Sequence, residues 1–235
     1  MQLFYSQTID DDMITLSQEE SAHAVRVLRK QIGDTLNVID GKGVLYSAEI
    51  VEIDKRECRL KIFSKIADYA SRGYKLHIAI APTKSIDRYE WFLEKATELG
   101  CDRFTPLLCD HSERKIIKDE RSEKIVIGAV KQSLKAAIPH LDSMTPFKEF
   151  VKQDFGDYRK FVAHCDDSPE KVLLRDEIEK GANILVLIGP EGDFSPQEVA
   201  MCRENGFVEV SLGESRLRSE TAGVFAATLT NINNQ

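Results

Sequence analysis

The stretch ILVLIGPEGDFSPQEVAMCRENGFVEVSLGESRLRSETAGV, which covers residues 184–224, decides the fold of the C-terminal part of this chain. Its first five residues, 184–188, form an uninterrupted apolar run that ends at Gly189 and Pro190. An apolar run without polar alternation is typical of a strand that is buried on both faces, as in a parallel sheet. The stretch therefore predicts an α/β fold that is built on a parallel sheet.

Helix signals follow this strand. Ser195, Pro196 and Glu198 match the N-cap, first and third positions of a capping signature, so we predict a helix that begins at Pro196. Residues 207–212 predict a second short strand, and residues 219–232 have the composition of a last helix with one apolar face. The apolar positions of that helix are Val224, Phe225, Leu229 and Ile232.

Two glycine-bearing loops, residues 189–194 and 212–218, each follow a predicted strand and precede a predicted helix. Open parallel sheets bind ligands in such crevices. Neither loop contains the glycine patterns that grip phosphate groups, G-x-G-x-x-G or G-x-x-x-x-G-K-[ST]. The loops therefore favour a nucleoside ligand without phosphates, held by backbone groups.

The motifs GPEG at 189–192, LG at 212–213 and LRSETA at 217–222 resemble those of the SPOUT methyltransferases, specifically the ribosomal RNA small subunit methyltransferase E family. The resemblance implies methyl transfer from S-adenosylmethionine to N3 of one uridine in small-subunit (16S) ribosomal RNA. It also implies an obligate homodimer and a SPOUT-type parallel sheet with a trefoil knot, preceded by a small PUA-like β-barrel. We expect the barrel in residues 1–70 and the methyltransferase domain in residues 71–235.

Composition excludes several classes of protein. The chain has 235 residues with a net charge of -7, which argues against coating nucleic acid through bulk electrostatics and leaves local basic patches as the means of contacting one structured RNA. No apolar run approaches the ~20 residues of a membrane helix, so the expected location is the cytoplasm, without membrane contact. The five cysteines form no C-x-x-C pair, so we predict buried thiols and no metal site.

The N-terminal part reads mostly as strands, at residues 36–39, 44–53 and 58–63, which predicts a small antiparallel barrel. The exception is a predicted helix over residues 17–30, where basic side chains recur on one face. Such a face is either a solvated surface or a ridge that contacts RNA phosphates. Residues 23–29 resemble the family's N-terminal motif and favour RNA contact through His23, Arg26, Arg29 and Lys30.

Strands and helices alternate after residue 75, which predicts a parallel α/β sheet. We predict a strand at residues 76–80, an amphipathic helix at 87–99, and a strand at 104–109 that Pro106 breaks. Trp91, the only tryptophan, is expected to anchor the core rather than to bind a ligand. Lys84, in the loop after the first of these strands, matches a basic position of the family and is a further candidate for RNA contact.

Residues 111–140 carry seven Lys or Arg against four Asp or Glu, and a helix is predicted over residues 119–136. This surface is either simply solvated or a second RNA-contacting patch, with Gln132 and Lys135 as candidates. Leu134 and Lys135 stand where members of the family commonly have Gly and Arg. Lysine keeps the charge and loses the planar fork of the guanidinium group.

A strand at residues 160–164 places His164 beside the proposed crevice, and a helix is predicted at residues 171–180. The resemblance implies that backbone groups of both loops hold the donor, under apolar cover from leucine side chains. One departure is Asp193, which replaces a glycine common after GPEG and either tightens the turn or alters its mobility. The predicted donor contacts are His164, Leu187, Ile188, Gly189, Pro190, Glu191, Gly192, Leu212, Gly213, Leu217, Arg218 and Thr221.

The proton on uridine N3 must be lost, so the reaction requires a base or a cation that stabilises the uridine anion. Arg218 is the candidate cation, and Glu191 is a candidate for orienting a ligand or acting as base. Alternatively, Arg218 pairs with Glu191 or Glu220 and only holds the loops, while Glu220 and Thr221 cap the last helix. The sequence does not identify the general base.

Two alternative functions stay open at this stage. One is a SPOUT methyltransferase that acts on another RNA position, in transfer RNA or on a ribose. The other is a non-catalytic RNA-binding factor in ribosome assembly that kept the fold. The target uridine, and the choice between naked RNA and an assembled small subunit as substrate, are not determined by these motifs.

Overall fold

The computed structural model describes residues 1–54, 56–166 and 171–235. The chain divides into two units, of which the first contains residues 1–71 and 127–138. The second contains residues 72–126 and 139–235. A segment from the middle of the chain thus belongs to the same unit as the N-terminus.

The first unit contains a six-stranded sheet that curls into a half-barrel. Its hydrogen-bonded order is β1-β4-β5-β6-β3-β2, with β1 and β4 parallel and the other pairs antiparallel. Apolar residues that alternate along these strands, such as Ile14, Val38 and Ile50, form its core. The predicted strands are confirmed, and the full set is β1 Leu3–Tyr5, β2 Thr8–Asp10, β3 Met13–Thr15, β4 Thr35–Ile39, β5 Leu45–Ile53 and β6 Cys58–Ile66.

The helix predicted over residues 17–30 is shorter and irregular. It consists of an α-helix, α1, at Gln18–Ala22, followed by a π-helix at His23–Val27. Ser17 caps it as predicted, since its side chain accepts a hydrogen bond from the backbone N–H of Glu20. The wider π turn and the left-handed backbone of Arg29, at φ 55°, remove Arg29 and Lys30 from the helix. The prediction that His23, Arg26 and Lys30 share one helical face was therefore wrong.

The second unit contains an eight-stranded sheet in which every pairing among the described residues is parallel. Its order is β10-β8-β7-β13-β11-β14-β12, with β9 beside β8. All residues of β7 and β13 are buried, which confirms the reading of their apolar runs. The strands are β7 Leu76–Ile80, β8 Arg103–Leu108, β9 His140–Leu141, β10 Thr145–Pro146, β11 Arg159–Ala163, β12 Val172–Leu173, β13 Ile184–Ile188 and β14 Val208–Ser211.

The remaining helices are α2 Ile86–Leu99, α3 Asp119–Gln132, α4 Phe147–Phe150, α5 Leu174–Glu177, α6 Pro196–Glu204 and α7 Ser219–Asn233. The capping box of α6 is confirmed, with Ser195 and Glu198 exchanging side-chain and backbone hydrogen bonds. Helix α3 ends four residues before its predicted limit of 136, and Leu134 beyond it has a left-handed φ of 57°. None of the helices in the described ranges is long and apolar enough to cross a membrane.

Three predictions in this unit were wrong. The helix predicted at 171–180 is limited to the four residues of α5, because β12 pairs with β14 and takes the residues before it. Pro106 does not break β8, since it lies between the positions paired with β9 and β10, where the outer edge has no partner among the described strands. Trp91 is 44% exposed and does not anchor the core.

Helix α7 returns across the sheet after β14 and packs on α2, β7 and β13. Apart from Glu220, its buried residues are small, and a Cβ on Gly223 would lie 2.5 Å from the Phe92 ring. Of the large apolar residues that were predicted to share one face of this helix, Phe225 and Ile232 are exposed, at 37% and 58%. The small residues of α7 are thus what lets the two helices approach closely.

Candidate functional site

A cavity of about 1080 Å³ lies at the carboxyl ends of β11, β13 and β14. Its walls are the loop after β13, residues 189–193, which we call the first loop, and the loop after β14, residues 212–218, which we call the second loop. His164 and Cys165, at the end of β11, lie between them. The cavity therefore occupies the position where parallel α/β sheets bind ligands.

The first loop is a tight turn, closed by a hydrogen bond of 2.9 Å from the Asp193 N–H to the Pro190 carbonyl. Its glycines are required by space. A Cβ on Gly189 would lie 3.1 Å from the ring of Phe194, and one on Gly192 would lie 3.1 Å from the Cβ of His111. The GPEG pattern thus lets neighbouring side chains pack directly against the backbone of the loop.

Three contacts hold the first loop to other parts of the second unit. The Oε1 atom of Glu191 accepts a hydrogen bond of 2.9 Å from the backbone N–H of Lys84. The Nδ1 atom of His111 lies 3.0 Å from the carbonyl oxygens of Gly192 and Asp193. The Asp193 side chain binds the end of β11 at Cys165. The first loop is therefore fixed on both sides.

The second loop makes few contacts of its own. Gly213 has a φ of 122°, a conformation that a residue with a Cβ rarely adopts. The guanidinium groups of Arg216 and Arg218 line the cavity, and no hydrogen bond or ion pair to either is found within the described ranges. The alternative in which Arg218 pairs with Glu191 or Glu220 is not observed, since the nearest cation to Glu220 is Arg88 at 3.9 Å. Both arginines are left available to a ligand.

The wall between the loops contains a buried ionic cluster. His164 Nε2 lies 2.8 Å from Glu209 Oε2, with both side chains almost fully buried. Arg203 donates to the other oxygen of Glu209, and this hydrogen bond lowers the pKa of Glu209 against the opposing effect of burial. The Nδ1 atom of His164 is buried and has no partner in the described part of the chain. The cluster ties β11 to β14 beneath the cavity.

Most of the predicted donor contacts come together in this cavity, and two do not. Leu187 is fully buried in the apolar core below, because adjacent residues of a strand point to opposite faces. Thr221 is exposed on α7 and is not part of the cavity wall. The N-terminus of α7, where Arg218 is the N-cap residue, has no side-chain cap hydrogen bond. The predicted capping by Glu220 and Thr221 is therefore not seen. The residues that do line the cavity are His164, Ile188, Gly189, Pro190, Glu191, Gly192, Leu212, Gly213, Leu217 and Arg218.

Sequence reasoning missed several residues of the site. Arg216 lies two positions before Arg218 in an extended segment, and this spacing could have indicated it. Lys171 lines the cavity, but its Nζ is bound to the carbonyl oxygens of His164 and Asp166. His111 and Glu209 act through contacts between distant parts of the chain, for which no local signal exists. The missed residues are mostly those that support the loops.

The predicted RNA contacts divide between the two units. Lys84 belongs to the second unit, where its Nζ pairs with Glu113 at 2.8 Å. The first unit contains the other six, because the end of α3 packs beside α1 through an ion pair between Lys131 and Glu20. Two patches that are about a hundred residues apart in sequence thus share one unit. The six are His23, Arg26, Arg29, Lys30, Gln132 and Lys135.

No group of three His, Cys, Asp or Glu side chains in the described ranges is arranged to hold a metal ion. Four of the five cysteines are buried, and Cys165 is exposed in the cavity wall. The polar groups offered by the cavity are therefore backbone amides, carboxylates, one imidazole and two free guanidinium groups.

The chain is similar to known RNA methyltransferases in sequence and in structure. The profile of the RNA methyltransferase domain matches residues 71–231, and that of the RNA methyltransferase PUA domain matches residues 16–63. The Bacillus subtilis protein named ribosomal RNA small subunit methyltransferase E is 26% identical, over 96% of this chain and 92% of its own length.

Two solved structures cover nearly the whole chain. A probable rRNA-methyltransferase from Porphyromonas gingivalis has a TM-score of 0.94 and 39% identity, over 100% of this chain and 98% of its own. A Legionella pneumophila protein, solved with the cofactor S-adenosylmethionine bound, has a TM-score of 0.86 and 28% identity, over 99% and 97% of the two chains.

Proposed function

Because the chain belongs to the RNA methyltransferase family, we propose that it methylates N3 of one uridine in small-subunit ribosomal RNA, with S-adenosylmethionine as donor. The observation that carries this proposal is the cavity between the two loops, which is lined by residues 189–193 on one side and by Arg216 and Arg218 on the other. The name of the Bacillus subtilis relative supports the choice of the small-subunit RNA as substrate.

The residues of the cavity fit the methyl donor. The backbone N–H groups of Glu191 and Gly192 have no partner among the described residues, and neither does the buried Nδ1 of His164. Leu212 and Leu217 supply apolar cover for an adenine ring. We infer that the first loop and these leucines hold the adenosyl group, with Leu187 supporting them from below.

When bound, S-adenosylmethionine supplies an electrophilic methyl group, and the protein has to align it with the acceptor and manage one proton. We propose that Arg218 stabilises negative charge on a uridine oxygen; in support, it lines the cavity and makes no hydrogen bond or ion pair with a described residue. Glu191 uses one oxygen to hold the backbone of Lys84, which favours an orienting role and leaves the second oxygen for a ligand or proton.

We further propose that the first unit binds the RNA. The exposed side chains of Arg26 and Arg29 project from an irregular part of the fold, the π-helix and the left-handed residue after it. π turns are frequent at functional sites. In the second unit, Lys84 lies on the loop that Glu191 holds, so RNA contact there would be coupled to the first loop.

A homodimer is the assembly that this proposal includes. Phe225, Leu229 and Ile232 follow the i, i+4, i+7 spacing of a single helical face, and two of them are exposed. A second copy of the chain is the occupant that the family resemblance implies for this stripe. Phe225→Asp should shift the protein from dimer to monomer in analytical ultracentrifugation, whereas Ile116→Asp, at another exposed apolar position, should not.

The proposal also keeps residues 1–70 as the PUA-like part and residues 71–235 as the methyltransferase part. We propose that residues after 212 close the trefoil knot that the resemblance implies, which is compatible with the packing of α7 on β7 and β13. Proteolysis with separate expression of each part tests the division.

Methyl transfer to ribosomal subunits tests the function directly. Small subunits from cells that lack this protein are incubated with radiolabelled S-adenosylmethionine, and the modified nucleoside is identified by mass spectrometry. 3-Methyluridine at one position is the expected result. A different methylated nucleoside, or binding without transfer, would contradict it and favour one of the two alternative functions. Naked small-subunit RNA in parallel identifies the form of the substrate.

A further inference from the structure

Asp193 occupies a backbone conformation that few side chains tolerate. Its φ is 62°, in the left-handed region that Gly, Asn and Asp adopt most readily. Glycine adopts this conformation without strain, so the turn by itself does not require a carboxylate.

Both oxygens of this carboxylate are used inside the protein. Oδ1 accepts a hydrogen bond of 2.9 Å from the N–H of Phe194, and Oδ2 accepts one of 2.7 Å from the N–H of Cys165. The first bond fixes the Asp193 side chain against the next residue, and the second attaches the loop to the end of β11. Hydrogen bonds to a charged acceptor are among the stronger ones in proteins. Asp193 is thus a bridge between two walls of one cavity.

His111 holds the opposite side of the same loop. Its Nδ1 lies 3.0 Å from the carbonyl oxygens of Gly192 and of Asp193, and its Cβ packs against Gly192. These carbonyls and the Asp193 carboxylate are consequently occupied. The N–H groups of Gly189, Glu191 and Gly192 donate to no other described residue.

We propose that Asp193 is a positioning residue, which holds the first loop in the geometry that binds the methyl donor; this inference rests on the proposed function. A loop that is already ordered loses less conformational entropy when it binds, so its affinity for the ligand is higher. The donor and its demethylated product share the adenosyl group. Asp193 therefore strengthens the binding of both and has little effect on the chemical step.

Two substitutions separate the carboxylate from the turn. Asp193→Gly keeps the left-handed backbone and removes both hydrogen bonds, whereas Asp193→Asn keeps the backbone and one acceptor oxygen. We expect Asp193→Gly to bind S-adenosylmethionine roughly tenfold more weakly in calorimetry, with Asp193→Asn between it and the unsubstituted protein. KM for the donor should rise by a similar factor and kcat should stay unchanged, as for lost uniform binding.

Asp11→Gly is the matched control, because Asp11 is an exposed aspartate with a φ of 49° in the first unit. It should leave donor affinity unchanged. Amide hydrogen exchange adds a readout without ligand: the N–H groups of Cys165 and Phe194 should exchange faster in Asp193→Gly while those of β13 do not.

The outcomes separate this inference from the proposed function. Unchanged donor affinity in Asp193→Gly overturns the positioning role. A lower kcat at constant KM also overturns it, because that pattern indicates a role in the transition state or a smaller fraction of active enzyme, and not a role in binding the donor. Absence of donor binding by the unsubstituted protein overturns the proposed function, and this inference with it.

Discussion

The two loops that enclose the cavity both contain glycine and both follow a strand of the same sheet, but they are held very differently. The first loop is bonded to three other segments of the second unit through Glu191, Asp193 and the imidazole of His111. The second loop has Arg216 and Arg218, which line the cavity and make no hydrogen bond or ion pair within the described ranges. One wall of the cavity is fixed, and the other carries unpaired charge.

This difference indicates that the two loops have different functions. A fixed loop suits a ligand of constant shape, since its binding groups are ordered before the ligand arrives. Free arginines suit an acceptor that develops negative charge, or a polymer whose phosphates arrive from outside. We therefore expect changes in the first loop to alter donor binding, and changes in the second loop to alter turnover.

The largest effect is expected for Arg218→Ala. If the free cation stabilises the uridine anion, turnover should fall by about 10² to 10³-fold, the usual loss for one such donor. Calorimetry should still detect S-adenosylmethionine binding, because the first loop is intact. Arg218→Lys keeps the charge and loses the planar fork, so partial activity is expected. Unchanged turnover in Arg218→Ala would show that this residue has no part in the mechanism. It would also contradict the inference that the second loop serves turnover.

The ionic cluster between the loops should affect stability. Glu209→Ala leaves the buried His164 without its partner, and we expect a loss of about 3 kcal/mol in the free energy of unfolding, measured with urea. Arg203→Ala, which removes the more exposed partner, should cost less. An equal or larger loss in Arg203→Ala would assign the stabilisation to the surface rather than to the buried pair.

Glu209 should also make the free energy of unfolding depend on pH. The hydrogen bond from Arg203 holds the folded pKa of Glu209 below its ordinary value of 4.5. The carboxylate therefore stabilises the fold fully above that ordinary value, and this contribution is lost as the pH falls through the lower folded pKa. Glu209→Gln should reduce the acid sensitivity of unfolding in this window. An unchanged acid profile would contradict the assignment.

A smaller effect is expected from charge removal in the first unit. Arg26→Ala combined with Arg29→Ala should weaken binding to small-subunit RNA and lower the slope of log affinity against log salt by roughly one to two. Donor affinity should not change. If donor affinity falls as well, the substitutions have disturbed the fold, and the phosphate contacts remain unproven by that experiment.

The smallest effect concerns the helix that follows the first loop. Ser195→Ala removes the cap of α6 and a hydrogen bond of 2.8 Å to Asp110, and should cost about 1 kcal/mol of stability. Ser85→Ala is the matched control, because Ser85 is the N-cap residue of α2 and makes no side-chain cap bond. Equal thermal unfolding of the two variants would show that the cap does not support the loop.

The elements that the sequence predicted correctly are those with local signals. The apolar run of β13 and the capping residues of α6 lie within residues 184–198, and the physics that forms them acts over a few residues. Gly100 likewise ends α2 in the left-handed conformation that its sequence position suggests.

The errors arose where distant contacts override local preference. The π-helix at His23–Val27 lies within helix-forming sequence and differs from an α-helix only in its hydrogen-bond spacing. Residues 172–173 joined the sheet because β14 was available to pair with them. Leu134 adopts a left-handed backbone conformation that suits glycine, which no propensity for leucine would predict. The hydrogen bonds that hold the first loop, made through Glu191, Asp193 and His111, are of the same kind, since each joins segments that are far apart in sequence.

The packing of α7 on β7 and α2 has a consequence for how the second unit is made. Phe92 packs against Gly223, about 130 positions later in the chain. During synthesis the ribosome must release nearly the whole unit before this contact can form. Until then, the side of α2 that α7 covers is open to chaperones and to proteases. Loss of the last helix through a premature stop should therefore lead to degradation rather than to a shortened enzyme.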